Sequence, residues 1–207
     1  MGHALAAVYL VWLLNLYNFM DGIDGIASVE ALCVCLGRSA QLADRACGVG
    51  TSAVAAGDGG GWLHYWNFPP ARIFMGDAGS GFLGIALGLL SLQAAWVEPQ
   101  LQWNWLILLS VFVVDATWTL GRRLLRGDKV YEAHRSHAYQ YASRLLGCHL
   151  PVTLVVGAID LFWLLPVALW VGLGSLDGFT GLLLAYVPLV LLAIRFRAGQ
   201  QEVATAG

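Results

Sequence analysis

Hydrophobic positions in this chain fall into long unbroken runs instead of the alternating or three-and-four spacing of a soluble domain. The runs Ala4–Met20, Gly81–Val97, Trp103–Leu120, Pro151–Gly174 and Gly178–Ile194 are 17 to 24 residues long. About 17–25 apolar residues are needed for a helix to cross some 30 Å of hydrocarbon. Helices are the only reading, because backbone groups in lipid must find their partners within the segment. Trp62, Trp66, Trp96, Trp103 and Trp105 fall near run ends, as interfacial anchors do. The pattern predicts an all-α polytopic transmembrane helical bundle, with five clear spans and up to seven.

Polar positions orient the bundle. Gly121–Gly147 holds six of the eleven Lys and Arg, and Arg195 and Arg197 follow the last run at once. By the positive-inside rule both belong on the cytoplasmic side, joined by an out-and-back pair through the turn at Leu173–Gly178. The cytoplasmic loop is expected over 121–150. Counting backwards puts Phe74–Gly81 on the same face, with an external N-terminus and a cytoplasmic C-terminus. If Asn15–Gly25 shares that face, an even number of crossings separates Asp24 from Asp77. The intervening chain fits this poorly. Ile26–Leu36 is apolar but short, and residues 37–61 carry seven glycines and four charges. That atypical segment reads as a re-entrant or external loop, or as the product of a compensated frameshift in GC-rich DNA, with the normal phase resuming near His64–Asn67.

Composition agrees with the runs. The 207 residues are 58% hydrophobic and 12% charged, against about 25% charged in soluble chains. A net charge of −2 leaves no basic footprint for nucleic acid. Four cysteines, two of them at Cys33 and Cys35 in an apolar run, make neither a disulfide scaffold nor a zinc spacing. The opening residues lack the basic region and cleavage site of a secretion signal.

Three polar clusters carry candidate chemistry. In the first, Asn15, Asn18, Asp21 and Asp24 recur every three residues, which would place neighbours on roughly one helical face. Gly22 and Gly25 allow the backbone to turn after each Asp. Two carboxylates and two amides at a bilayer edge suit a divalent cation or a polar ligand; the bland alternative is an interfacial helix end. In the second, Phe74–Gly81 (FMGDAGSG) runs straight into an apolar helix. Its glycines and the helix N-terminus suit an anion. An Asp among phosphate-facing amides calls for a metal between them, and Mg²⁺ takes one or two carboxylates plus phosphate oxygens. The bland reading here is a helix cap followed by small-residue packing at Gly84 and Gly88. The third, Glu132–Gln140, brings His134, Arg135 and His137, which can bind phosphates or simply lipid headgroups. Asp115, inside a membrane run, is either functional or paired with Arg122 or Arg123.

In this order, NLYNFMDGIDGIA, NFPPARIFMGDAGSGFLG and DATWTLGRRLLRG…EAHRSHAYQ resemble the polyprenyl-phosphate N-acetylhexosamine-1-phosphate transferase family (glycosyltransferase family 4) over roughly Val8–Leu145. The HRSH form is more similar to the branch initiating O-antigen and enterobacterial antigen than to the peptidoglycan branch. The resemblance implies transfer of GlcNAc-1-phosphate, or a related N-acetylhexosamine phosphate, from a UDP-sugar donor to undecaprenyl phosphate. UMP would be released, with Mg²⁺ as cofactor and Mn²⁺ as its alternative. It implies Asp77 as metal ligand with Asn18 nearby, and Asp21 and Asp24 beside the nucleotide. Phe74 and Gly76 would approach the uracil, and His134, Arg135 and His137 the phosphates or sugar, with Asp77, Asp21, Asp24 and His137 counted as the catalytic groups. The setting implied is a bacterial inner membrane, among membrane lipids, with a homodimer compatible. The family's earlier spans and their Asp-Asp pair have no counterpart in these residues. The chain is therefore expected to be an N-terminally truncated form, either part of the enzyme or a non-catalytic remnant or partner half.

Overall fold

The computed structural model describes residues 2–42, 61, 63–129 and 135–200. Eight helices make up the described fold: α1 (Gly2–Met20), α2 (Ile26–Leu42), α3 (Gly76–Val97), α4 (Gln100–Leu108), α5 (Ser110–Arg126), α6 (Ala138–Leu146), α7 (Leu150–Gly172) and α8 (Gly178–Arg195). A short helical stretch at 63–67 precedes α3. No strand occurs among the described residues. By length and apolarity α1, α3, α7 and α8 can each cross a membrane, and α4 with α5 adds a fifth if that bent pair is one span. The chain is a multi-pass, all-α membrane protein.

The tightest pairing is α1 against α3, and glycine makes it possible. A Cβ on Gly84 would lie 2.4 Å from the Leu13 carbonyl oxygen, and one on Gly88 would lie 2.7 Å from Leu10. With no side chains there, the two backbones approach as small-residue interfaces in membranes do. Tyr9 and Ser91 then bond across the seam, hydroxyl to hydroxyl, at 2.8 Å. The packing expected of Gly84 and Gly88 is thus present, alongside whatever the preceding loop does.

Two runs differ from their sequence reading. Trp103–Leu120, expected as one straight span, breaks at Leu109, where the backbone leaves helical angles and α4 meets α5 at 70°. Neither Pro nor Gly marks the place. The apolar run that was too short at Leu36 also continues: α2 extends to Leu42 and buries Arg38. The rest of the atypical segment, from 43 to 60, lies outside the described residues, and so does the frameshift expectation that concerns it.

At the opposite end of the chain, α7 widens into a π-helical turn over Asp160–Leu164. Helix α8 starts on Asp177, whose carboxylate accepts hydrogen bonds from the Phe179 and Thr180 N–H groups. That is ordinary N-capping of otherwise unpaired donors.

Candidate functional site

The C-terminal end of α1, the N-terminal ends of α3, α6 and α7, and the C-terminal end of α5 meet at one end of the bundle. The first polar cluster lies there, though not as one helical face. Helix α1 stops at Met20, so only Asn15 and Asn18 are helical, while Asp21 and Asp24 sit in the following turn. Asn15 turns back on its own helix and donates to the Val11 carbonyl. The expected four-residue face is therefore split into two jobs.

Asn18 and Asp21 face α3. The Asn18 Oδ1 accepts a 3.1 Å hydrogen bond from Ser80 Oγ, which joins the first cluster to the second. Asp77 stands exposed in the first turn of α3, directly after Gly76, whose φ of +62° turns the chain into the helix. Burial raises the Asp21 carboxyl to about 6, and the charge of Asp77 adds to that rise. Two carboxylates thus compete for charge at a helix N-terminus, an arrangement that a cation relieves. Phe74 is 77% exposed beside them, an aromatic face open to a ligand.

Asp24 faces the other way. Its Oδ2 accepts from the Ala71 N–H at 3.1 Å, and its Oδ1 lies 3.3 Å from His149 Nδ1. The Asp24 carbonyl accepts from Thr153 on α7. Next to it Gly25, at φ +76°, donates to Asn67 Oδ1, and Asn67 in turn donates to the Ile73 carbonyl. Asp24 therefore latches the 67–73 loop and α7 onto the turn, which positions the approach to Phe74 and Asp77.

The third cluster is anchored by Asp115. It pairs with neither Arg122 nor Arg123. Arg122 donates to the Ala198 carbonyl and Arg123 to that of Lys129. Instead Asp115 accepts from the first two N–H groups of α6, Ala138 at 3.0 Å and Tyr139 at 3.2 Å. His137, just before the helix, is buried against the same carboxylate at 3.4 Å, with Phe19 and Tyr139 stacked on its ring. Its ring is inside, whereas Arg135 is exposed and His134 lies outside the described residues. Tyr139 reaches across to donate to the Phe19 carbonyl. Burial and the nearby Asp115 and Asp21 charges hold its phenol well above the usual range. Thus α6 packs on the Asp21 turn.

Behind this turn an apolar groove of about 410 Å³ opens between α5, α6, α7 and α8. Val114, Val152, Val156 and Leu189 are typical of its walls, and Asp115 and Arg195 are its charged lining. A polar recess and an oily groove therefore share Tyr139 and the end of α1. Among the described residues no three His, Cys, Asp or Glu side chains cluster closely enough to hold a metal. A cation here would take at most two protein carboxylates, Asp77 and Asp21, with amide, phosphate or water oxygens beyond them. Ser80, Asn67, His149 and Thr153 were not singled out from the sequence. Ser80 and Asn67 fall inside the quoted motifs, but His149 and Thr153 open an apolar run and carry no local signal.

Residues 1–95 match the model of the family described as glycosyl transferase family 4. Over 144 residues the chain is 32% identical to the Bacillus subtilis protein named "Probable undecaprenyl-phosphate N-acetylglucosaminyl 1-phosphate transferase", covering 67% of this chain and 40% of that one. It is 31% identical over 175 residues to the decaprenyl-phosphate N-acetylglucosaminephosphotransferase of Mycolicibacterium smegmatis, covering 69% and 43%. It is 39% identical over 128 residues to the phospho-N-acetylmuramoyl-pentapeptide-transferase of Moorella thermoacetica, covering 59% and 40%. The chain spans about two-fifths of the length of these relatives. No solved structure matches it.

Proposed function

From a chain that belongs to glycosyl transferase family 4, we propose a site for transfer of an N-acetylhexosamine-1-phosphate from a UDP-sugar to undecaprenyl phosphate, with release of UMP. The single observation that carries the proposal is the juxtaposition of Asp77 and Asp21 at the start of α3, where each carboxylate raises the need for a cation. Mg²⁺, or Mn²⁺ in its place, would neutralise phosphate charge there when bound. Asp77 would hold it, with the Asn18 amide oxygen turned toward it by Ser80. Phe74 would stack on the uracil, beside the open backbone of Gly76. Asp24 keeps the 67–73 loop folded against the nucleotide's approach instead of touching the reacting atoms. Arg135 is an exposed cation of the facing loop and would meet phosphate or sugar. His137 acts through its buried contact with Asp115 to hold α6 in place.

The apolar groove supports the lipid half of the reading. A water-soluble donor and a polyprenyl phosphate acceptor must meet at a membrane surface, and here the carboxylates and the groove share Tyr139. In the inner membrane this end of the bundle would face the cytoplasm, where six of the eleven Lys and Arg cluster between 121 and 147.

Titration of the purified chain with UDP-GlcNAc, with and without Mg²⁺, tests the site. Transfer of label to undecaprenyl phosphate tests the activity. Mg²⁺-dependent binding that is lost in Asp77→Asn supports the assignment. Binding without transfer would make the chain a nucleotide-binding partner half, and no Mg²⁺-dependent binding would remove the proposal.

A further inference from the structure

Far from the carboxylates already described, four helices bring polar groups into the interior of the bundle. Glu30 of α2 and Asp160, which opens the π-turn of α7, are 0% and 1% exposed. The two carboxyls stand within electrostatic reach of one another, with the Cys33 thiol beside Asp160. The Glu30 carboxyl faces the Phe112 N–H, a donor in the first turn of α5 just past the 70° break. None of the four carboxyl oxygens has a hydrogen-bond partner among the described residues. The Tyr17 hydroxyl of α1, fully buried and unpartnered, stands within electrostatic reach of Glu30, Cys33, Cys35 and Asp160. Its ring packs on Phe112 with centroids 5.1 Å apart.

The charge balance of this cluster is unusual. Among the described residues no Lys, Arg or His forms an ion pair with either acid. Arg38 is eight residues along α2, a rise of about 12 Å. Two ionised carboxylates this deep, with no counter-cation, would repel strongly and forgo hydration. A proton held between the two carboxyls removes that repulsion and gives each a hydrogen-bond partner that it otherwise lacks, whereas a metal ion would hold them apart. We propose that Glu30 and Asp160 are a proton-binding site, an acid pair that shares a proton, with Cys33, Phe112 and Tyr17 around it. The π-turn supplies the extra backbone width that lets Asp160 reach across. Its place suggests what it does. Thr153, seven residues before Asp160, holds the Asp24 carbonyl, so the pair sets the register of α7 against α2 about 10 Å below the Asp24 turn. This site stands independently of any transferase activity.

Infrared spectroscopy of the full chain in detergent reads the proton directly. At pH 7 the wild type should show the carbonyl band of a protonated, water-excluded carboxylic acid that shifts only slowly in D₂O. That band should vanish in a Glu30→Gln/Asp160→Asn double variant. Each single amide variant, an isostere of the protonated acid, should keep or raise the wild-type Tm. Absence of the band in wild type at pH 7 overturns the proposal without any variant having to fold. A Tm that climbs with Na⁺, K⁺ or a divalent ion and falls in the amide variants also overturns it, in favour of a cation site.

Discussion

Asp115 Oδ1 lies 3.4 Å from His137 Nδ1, and the same carboxylate receives the first two backbone N–H groups of α6. The first two N–H groups of α6 are thus capped from another helix, and Gln140 reaches back to the His137 N–H. Asp115→Ala should remove two charge-assisted bonds to α6 at a buried position. The expected loss is about 1–3 kcal/mol, read as a lower Tm in detergent. Backbone amide exchange over 138–146 should accelerate while α1 and α3 stay protected. Unchanged exchange there would mean that α6 does not depend on this cap.

Gly22 is constrained by the same helix. A Cβ at this position would lie 2.2 Å from the Tyr139 hydroxyl oxygen and 2.9 Å from Gln140 Nε2. Gly22→Ala should therefore destabilise the Asp21 turn even though Gly22 itself is exposed. Tyr139→Phe alone should cost about 1 kcal/mol, the net worth of its bond to the Phe19 carbonyl. Combined, the two should cost less than their sum, because removing the hydroxyl clears the space the methyl needs. Additive losses in a double-mutant cycle would refute the clash.

These two cases show what the sequence could and could not reveal. Long apolar runs announce membrane helices because lipid demands continuity, so α1, α3, α7 and α8 were readable with ends off by a few residues. The break at Leu109 was not, since neither Pro nor Gly marks it and nothing local in the sequence signals it. Likewise, a spacing of three suggested one face for Asn15 to Asp24, but the helix ends before the aspartates. Asp115 could be flagged as an intramembrane acid, yet its partners are N–H groups that become available only when α6 starts 23 residues later. Side chains that serve backbone donors elsewhere in the chain leave no local pattern.

The pH dependence at Asp21 follows from its raised carboxyl. Its folded value of about 6 exceeds the unbound reference of 3.8, so the folded state holds the extra proton between those two values. Stability should therefore fall as pH rises through that window and level off above about 6. A cation opposes this, because it binds the ionised form. Stabilisation by millimolar Mg²⁺, read as a Tm shift, should be small at pH 5 and grow through pH 6 to a plateau. Asp77→Asn removes the neighbouring charge, so Asp21 should titrate lower and the Mg²⁺ shift should shrink at every pH. A Mg²⁺ effect that is flat from pH 5 to 8 would show that Asp21 is not coupled to the cation.

The α1–α3 seam permits a sharper test of how packing reaches the site. A Cβ on Gly84 would meet backbone, 2.4 Å from the Leu13 oxygen and 2.9 Å from the Leu14 Cα, and backbone cannot swing aside. One on Gly81 would meet only the Leu14 side chain, at an ordinary 3.5 Å. Gly84→Ala should thus push α1 from α3 at a cost of about 1–3 kcal/mol, while Gly81→Ala should stay within about 0.5 kcal/mol of wild type. The positions are three residues apart on one helix, so helix propensity favours alanine equally at both. The separation should also stretch the Asn18–Ser80 bond, because that bond bridges the same two helices one turn above Gly84. Mg²⁺-dependent UDP-GlcNAc binding should therefore weaken in Gly84→Ala although the residue is about 10 Å along α3 from Asp77. Ser80→Ala, which removes the bond and leaves the seam closed, should reproduce the binding loss with a smaller drop in Tm. If Gly84→Ala lowers Tm but leaves binding intact, the seam stabilises the bundle without placing Asn18, and the metal-side role of Asn18 would have to come from elsewhere.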